Sequence, residues 1–262
     1  MKTILVGLDF TKSSENTINY AIEVAKLTGS KILLFHVLTA PVVHTTSGLI
    51  FMDGNEFMKD AEKKMEALHK KMTIQYPKIK FNIELTYIGI KERVEKLVSK
   101  NKISIVILGL ETKSKISQFL NGTTSLSLAG KIKCPIITVS EKYKQHALRK
   151  MIIAIDNKES ISSGLSKRIN TLVKYLKINV EYVHVKTESE LELGNKNKHS
   201  FKVTNVKAQN FQEGLSQHAK KTKADMILLI SNNYNAFHNL FIESHSKKMI
   251  LASNIPVLSI HK

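Results

Sequence analysis

The stretch IVILGLETKSKISQFLNGTTSLSLAGKIKCPIITV, Ile105 to Val139, decides the fold of this chain. Four successive apolar residues, Ile105 to Leu108, end at Gly109 and read as a strand covered on both faces, as in a parallel sheet. A loop follows, then a helix entered through Gly122-Thr123-Thr124, then a closing strand after Pro135. Open α/β sheets hold ligands at the carboxyl ends of their strands, where this loop departs. Gly122 and the two hydroxyl residues after it put N–H and side-chain donors at a helix start, which suits a phosphate. An ordinary N-cap by Thr123 or Thr124 uses the same residues, and on this stretch alone that ordinary cap is the expected reading.

The whole chain has 262 residues, enough for one large domain or two of ordinary size. A hydrophobic share of 42% with 11 glycines and 4 prolines supports a packed core rather than disorder. No segment has transmembrane length, and in the opening MKTILVGLDF Asp9 ends the apolar run too soon for a signal peptide. The single cysteine, Cys134, excludes an internal disulfide and a cysteine metal cluster; buried packing is its expected role. A cytoplasmic location is the default expectation. The net charge is +18, and it is spread evenly: residues 1–146 have 22 Lys+Arg against 13 Asp+Glu, and the remainder 18 against 9. That argues against a basic arm. Lysine pairs such as Lys63-Lys64, Lys70-Lys71 and Lys220-Lys221 fall in helical patterns as solvated faces. With few aromatics and no recognition motif, nucleic-acid binding ranks low.

Working outward, Thr3 to Asp9 is a first strand that stops on a carboxylate. Thr11, Ser13 and Ser14 offer caps for a helix with Ile18, Ala21, Ile22 and Ala25 on one face, ended by Gly29. Lys31 to Leu38 is the second strand, and Thr39 to Asn55 is irregular. Glu56 to Tyr76 carries an apolar stripe of Met58, Ala61, Met65, Leu68 and Met72, expected as core. Phe81, Ile83 and Leu85 alternate as a third strand, and Val94, Leu97 and Val98 mark a short helix.

From Lys150 the order begins again. MIIAID (Met151 to Asp156) replays ILVGLD (Ile4 to Asp9), and VEYVHV (Val180 to Val185) replays LLFHV (Leu33 to Val37). DMILLIS (Asp225 to Ser231) replays SIVILG (Ser104 to Gly109), and NIPVLSI (Asn254 to Ile260) replays KCPIITV (Lys133 to Val139). Four matched strands in one order mean a duplicated unit. The second copy has a polar segment between Val185 and Phe201 where the first has its methionine helix. Strands alternating with helices imply an α/β fold: two tandem five-stranded, doubly wound parallel-sheet domains, 1–146 and 147–262.

ILVGLDF with Ser14 downstream, FHV at the second strand and a glycine loop before CPIITV together resemble a tandem universal stress protein, over nearly the whole chain. The resemblance implies that the last strands, Ile136–Val139 and Val257–Ile260, lie along a pseudo-twofold axis, so that the chain forms its own pseudo-dimer; a homodimer of whole chains stays open. In nucleotide-binding members the loop Gly-x2-Gly-x9-Gly-Ser/Thr cradles ATP phosphates. Here Gly109, Thr112, Gly122 and Thr123 stand at those positions, with Thr124 next, while Asp9 and Val37 take the adenosine-side positions. Thr112 is the departure. Where a glycine with φ > 0 is required, a β-branched residue costs roughly 1–3 kcal/mol. Lys113 and Lys115 add positive charge nearby. In the second copy the same register gives Ser231, Tyr234, Ser244 and His245, with Phe237 close by, so no nucleotide is expected there and Asp156 reverts to a turn residue. His36 and His184 read as strand-end histidines bonded to backbone, and the ten histidines show no metal-ligand spacing.

Two functions compete. In the first, a stress-response module takes an adenine nucleotide such as ATP in the first domain, with Asp9 holding ribose or, through water, a phosphate-bound Mg²⁺. No general base stands poised for hydrolysis, so an enzyme is not expected. GxxxxGK[ST] and GxGxxG are both absent, which excludes P-loop and dinucleotide readings. The second is a nucleotide-free protein that presents the pseudo-dimer surface to a protein partner.

Overall fold

The computed structural model describes residues 2–38, 42–45, 48–51, 54–86, 90–100, 103–110, 134–144, 147–155, 161–187, 199–231 and 254–261. The first run of elements is β1 (Thr3–Leu8), α1 (Lys12–Thr28), β2 (Lys31–Val37), β3 (Val42–Thr45), β4 (Gly48–Phe51), α2 (Gly54–Gln75), β5 (Phe81–Thr86), α3 (Ile90–Ser99), β6 (Ile105–Leu110) and β7 (Ile136–Ser140). The second is β8 (Lys150–Ala154), α4 (Ser163–Leu176), β9 (Asn179–Lys186), β10 (Val203–Lys207), α5 (Phe211–Lys221), β11 (Met226–Ser231) and β12 (Val257–His261).

Ten strands form one sheet in the order β10-β9-β8-β11-β12-β7-β6-β1-β2-β5. Neighbours run parallel except at the centre, where β12 meets β7 antiparallel with Leu258 opposite Ile137. The sheet is therefore two five-stranded parallel halves joined through their last strands. Each strand that repeats in sequence holds the same place in its half, and β10 falls opposite β5 as a fifth matched pair.

The apolar strands are explained by what covers them. Ile4 and Val6 of β1 enter one core cluster, and Leu5 between them enters another on the opposite face. Successive side chains of a strand point to opposite faces, so a strand buried on both must be apolar throughout. One cluster joins α1, α2 and α4 through Ile18, Met65 and Leu165; the other takes Val94 of α3 and Leu215 of α5. Gly29 ends α1 in the left-handed region at φ 65°, its N–H bonded to the Ala25 carbonyl at 2.8 Å. Cys134 is buried, and burial pushes its thiol up to about 12. Among the described residues no helix is long and apolar enough to cross a membrane.

Four expectations need correction. The irregular segment after Leu38 contains an antiparallel hairpin, β3 with β4, pairing Val42 with Phe51; strands this short leave little periodicity to read. The methionine helix begins at Gly54, not Glu56. Phe81 is buried but Ile83 is 37% exposed, because β5 is the outermost strand and only part of it is covered. Thr11 is the N-cap residue of α1 yet makes no side-chain cap bond; its hydroxyl donates to Asp9 instead.

Candidate functional site

The chain runs outward from β1 in both directions, to β2 and β5 on one side and to β6 and β7 on the other. That reversal makes the carboxyl end of β1 a topological switch point, the place where such sheets open a crevice. Register fixes the neighbours. Leu8 lies opposite His36 on β2, and Gly7 opposite Leu108 on β6, so Asp9 emerges between the ends of those two strands.

Asp9 is held firmly. Its Oδ1 accepts from the Thr11 backbone N at 3.1 Å, from Thr11 Oγ1 at 2.6 Å and from Ser14 Oγ at 2.6 Å. The Asp9 N–H donates back to Ser14 Oγ at 3.1 Å. Ser14 is itself buried. Hydroxyl donors this close to a carboxylate are charge-assisted bonds, stronger than neutral ones. They fix the carboxylate through one oxygen; among the described residues, none donates to Oδ2.

The backbone turns sharply just past Asp9. Phe10 has φ 59°, a left-handed conformation that a bulky aromatic rarely adopts. The turn leaves its ring 38% exposed and sets it 4.6 Å from the His36 ring, centroid to centroid. His36 donates from Nδ1 to the Leu8 carbonyl at 2.8 Å. Burial lowers its pKa, against the raising effects of that bond and of Asp9, and Lys64 of α2 lowers it further. The imidazole is thus a neutral bracket between β1 and β2, with a lysine in electrostatic reach.

Of the residues expected at the site, Asp9 and Gly109 are brought to the ends of adjacent strands, with Gly109 buried and paired with Val139 of β7. Val37 ends β2, half-buried against the cluster on the α3 face. Thr112, Gly122, Thr123 and Thr124 lie outside the described residues, as do Lys113, Lys115, Asp156, Tyr234, Phe237, Ser244 and His245. Three participants were not legible in the sequence: Phe10 in its left-handed turn, Ser14 as the clamp on Asp9 rather than a cap, and Lys64 near His36. The spacing of Lys64 in a solvated helical face gave no signal for the last. His184 repeats the bracket in the second half, with Nδ1 3.2 Å from the Ile155 carbonyl.

Residues 1–140 match the model of the Universal stress protein family. Among solved structures, a universal stress protein from Archaeoglobus fulgidus superposes with a TM-score of 0.69 at 17% identity, covering 99% of this chain and 96% of its own. A functionally unknown protein from Pseudomonas aeruginosa, PA1789, superposes with a TM-score of 0.56 at 9% identity, covering 100% and 92%. At these identities the likeness is one of fold. Comparison with curated proteins finds no match.

Proposed function

Because this chain belongs to the universal stress protein family, we propose that it is a cytoplasmic stress-response module that binds an ATP-like adenine nucleotide at the carboxyl edge of its first half. On this reading it is two family domains, 1–146 and 147–262, packed as a pseudo-dimer about the β7–β12 pair. The carrying observation is Asp9: a carboxylate at the switch point, pinned through Oδ1 by Thr11 and Ser14 with Oδ2 open among the described residues. A fixed acceptor of this kind suits the vicinal hydroxyls of a ribose, or a water of phosphate-bound Mg²⁺. Val37 would border the adenosine side. Gly109, Thr112 and the Gly122-Thr123-Thr124 entrance would meet the phosphates with N–H and hydroxyl donors. His36 is tied through Nδ1 to the Leu8 carbonyl as a bracket between β1 and β2, and on this reading the edge serves binding rather than turnover.

The test is calorimetric titration of ATP into the wild type, Asp9→Ala and Gly122→Val, with analysis of nucleotide released on denaturation. Saturable binding lost in both variants supports the reading. Binding unchanged in both moves the site elsewhere, and no binding by the wild type at millimolar ATP ends it. A second reading, a nucleotide-free protein that offers the pseudo-dimer surface to a partner, draws on Thr112 at a glycine position and on the Asp9 oxygen already satisfied from within.

A further inference from the structure

Phe10 departs from two rules at once. A bulky aromatic stands at φ 59°, a backbone state that glycine adopts freely and other residues rarely do. It is also 38% exposed, so burial in the core does not hold it there. Residues kept in such conformations cluster at ligand-binding sites. The residue before it is Asp9, whose carboxylate Thr11 and Ser14 already fix.

One structural role is open to the ring. It lies 4.6 Å from the His36 ring, tilted by 58°, and so braces the imidazole that holds the Leu8 carbonyl. The second half weighs against bracing as the reason for the residue. There His184 makes the same contact with the Ile155 carbonyl. Counted from the repeated aspartates, the position of Phe10 falls on Asn157, and that of Ser14 on Ile161. Asparagine takes the left-handed conformation more readily than phenylalanine does. The histidine bracket therefore recurs in a half whose sequence supplies no phenyl ring at that register. The ring goes with the edge that keeps the clamped aspartate.

The strands fix its side of the crevice. Leu8 lies opposite His36 on β2, and Gly7 opposite Leu108 on β6. Packed on His36, the phenyl ring stands on the β2 flank of Asp9, next to the strand that ends at Val37. Gly109 stands on the other flank, on β6. We propose that Phe10 is the base platform of this edge: its ring stacks on the nucleobase while Asp9 takes the ribose. This role rests on the nucleotide reading and adds the residue that meets the base. Stacking on a flat ring responds to the area of the base rather than to its hydrogen-bonding pattern, so ATP and GTP should bind alike and UTP more weakly.

The full chain is titrated with ATP and with inorganic tripolyphosphate, as the wild type, Phe10→Leu, Phe10→Trp and Phe10→Asn, and each variant is unfolded in urea. Phe10→Leu should weaken ATP about tenfold and leave tripolyphosphate unchanged, while Phe10→Trp keeps ATP affinity. Phe10→Asn, which copies the second half, should keep the urea midpoint and still lose ATP affinity. In wild type, the adenine H2 and H8 protons of bound ATP should move upfield and show Overhauser contacts to the Phe10 ring, a readout that needs no variant to fold. Contacts to other aromatic rings alone would overturn the platform, as would tripolyphosphate affinity falling in step with that of ATP. ATP bound by wild type and by both Phe10→Leu and Phe10→Asn with equal affinity would overturn it too and leave the nucleotide reading standing. A wild type that binds no ATP removes both.

Discussion

The two halves of the sheet keep one frame and part company at its carboxyl edges. In both, a histidine on the second strand holds the carbonyl that precedes the aspartate: His36 to Leu8 at 2.8 Å, His184 to Ile155 at 3.2 Å. His36 stands half-buried beside the left-handed Phe10, whereas His184 is only 3% exposed. Beyond the strand ends the sequences diverge, with Gly109 and Gly122 in one half and Ser231 and Ser244 in the other. The first half also inserts the β3–β4 hairpin and the 22-residue α2 between its second and third sheet strands. The histidine–carbonyl bond is therefore part of the frame, and it survives where the loop chemistry does not. Ligand capture has to be sought in what surrounds the strand ends.

The sharpest way to break this comparison is to ask whether the second half is an eroded copy or a tightly built one. Gly214 of α5 is pressed against the sheet: a Cβ there would come within 2.6 Å of Val185 Cγ1 and 2.8 Å of Ala208 Cβ. Gly214→Val should cost about 3 kcal/mol by overpacking, whereas Gly164→Ala, with nothing within 4 Å, should be near neutral. Urea denaturation measures both. Similar midpoints for the two variants would mean that α5 shifts freely and that the second half is loosely packed.

Next in size is the contrast between the aspartates. Asp9→Ala should weaken ATP binding at least tenfold, and Asp156→Ala should leave it unchanged, both by calorimetry. Equal losses would put a nucleotide in each half and erase the distinction. Ser14→Ala removes the buried hydroxyl that grips Asp9 and should cost about 1 kcal/mol of stability, together with a smaller loss of ATP affinity than Asp9→Ala. An affinity loss as large as that of Asp9→Ala would mean that the clamp, rather than the carboxylate, makes the site.

The smallest effect is a pH dependence confined to the first edge. Burial lowers the pKa of His36 in the folded chain below its ordinary 6.5. The unfolded chain then takes up the proton more readily, so the contribution of His36 is fully present above about 6.5 and is lost as pH falls through its folded value. Thermal midpoints should decline on acidification, and His36→Asn should flatten that slope. A steeper slope in the variant would reverse the sign of the argument.

Much of the frame was legible because it follows from local periodicity. β1, β6, β8 and β11 are uninterrupted apolar runs because both faces of the sheet are covered, and α1 ends at Gly29 because only glycine adopts φ 65° there without cost. The edge strand β5 and the hairpin were read less well. Partial cover blurs alternation, as at Ile83, and a four-residue strand such as β3 offers too few positions to show a period. At the candidate site the sequence supplied Asp9, Val37 and Gly109 but not their supports. Whether Ser14 caps its helix or turns back to Asp9 depends on backbone direction at Phe10, and residue type alone does not encode it.

The sequence by itself determined the main sheet strands of the first half, the four strand motifs that recur after Lys150, and the aspartate at the end of the first strand, since each is written in spacing and in repeated words. Only the tertiary structure decided that β7 and β12 pair antiparallel to fuse the halves into one sheet, that Phe10 turns left-handed, and that Tyr175 reaches across to Ser30 and Ser104. The physical reason is range. Periodicity and capping act over a few residues, whereas these contacts join segments separated by up to 145 positions, and packing of the assembled surfaces selects them.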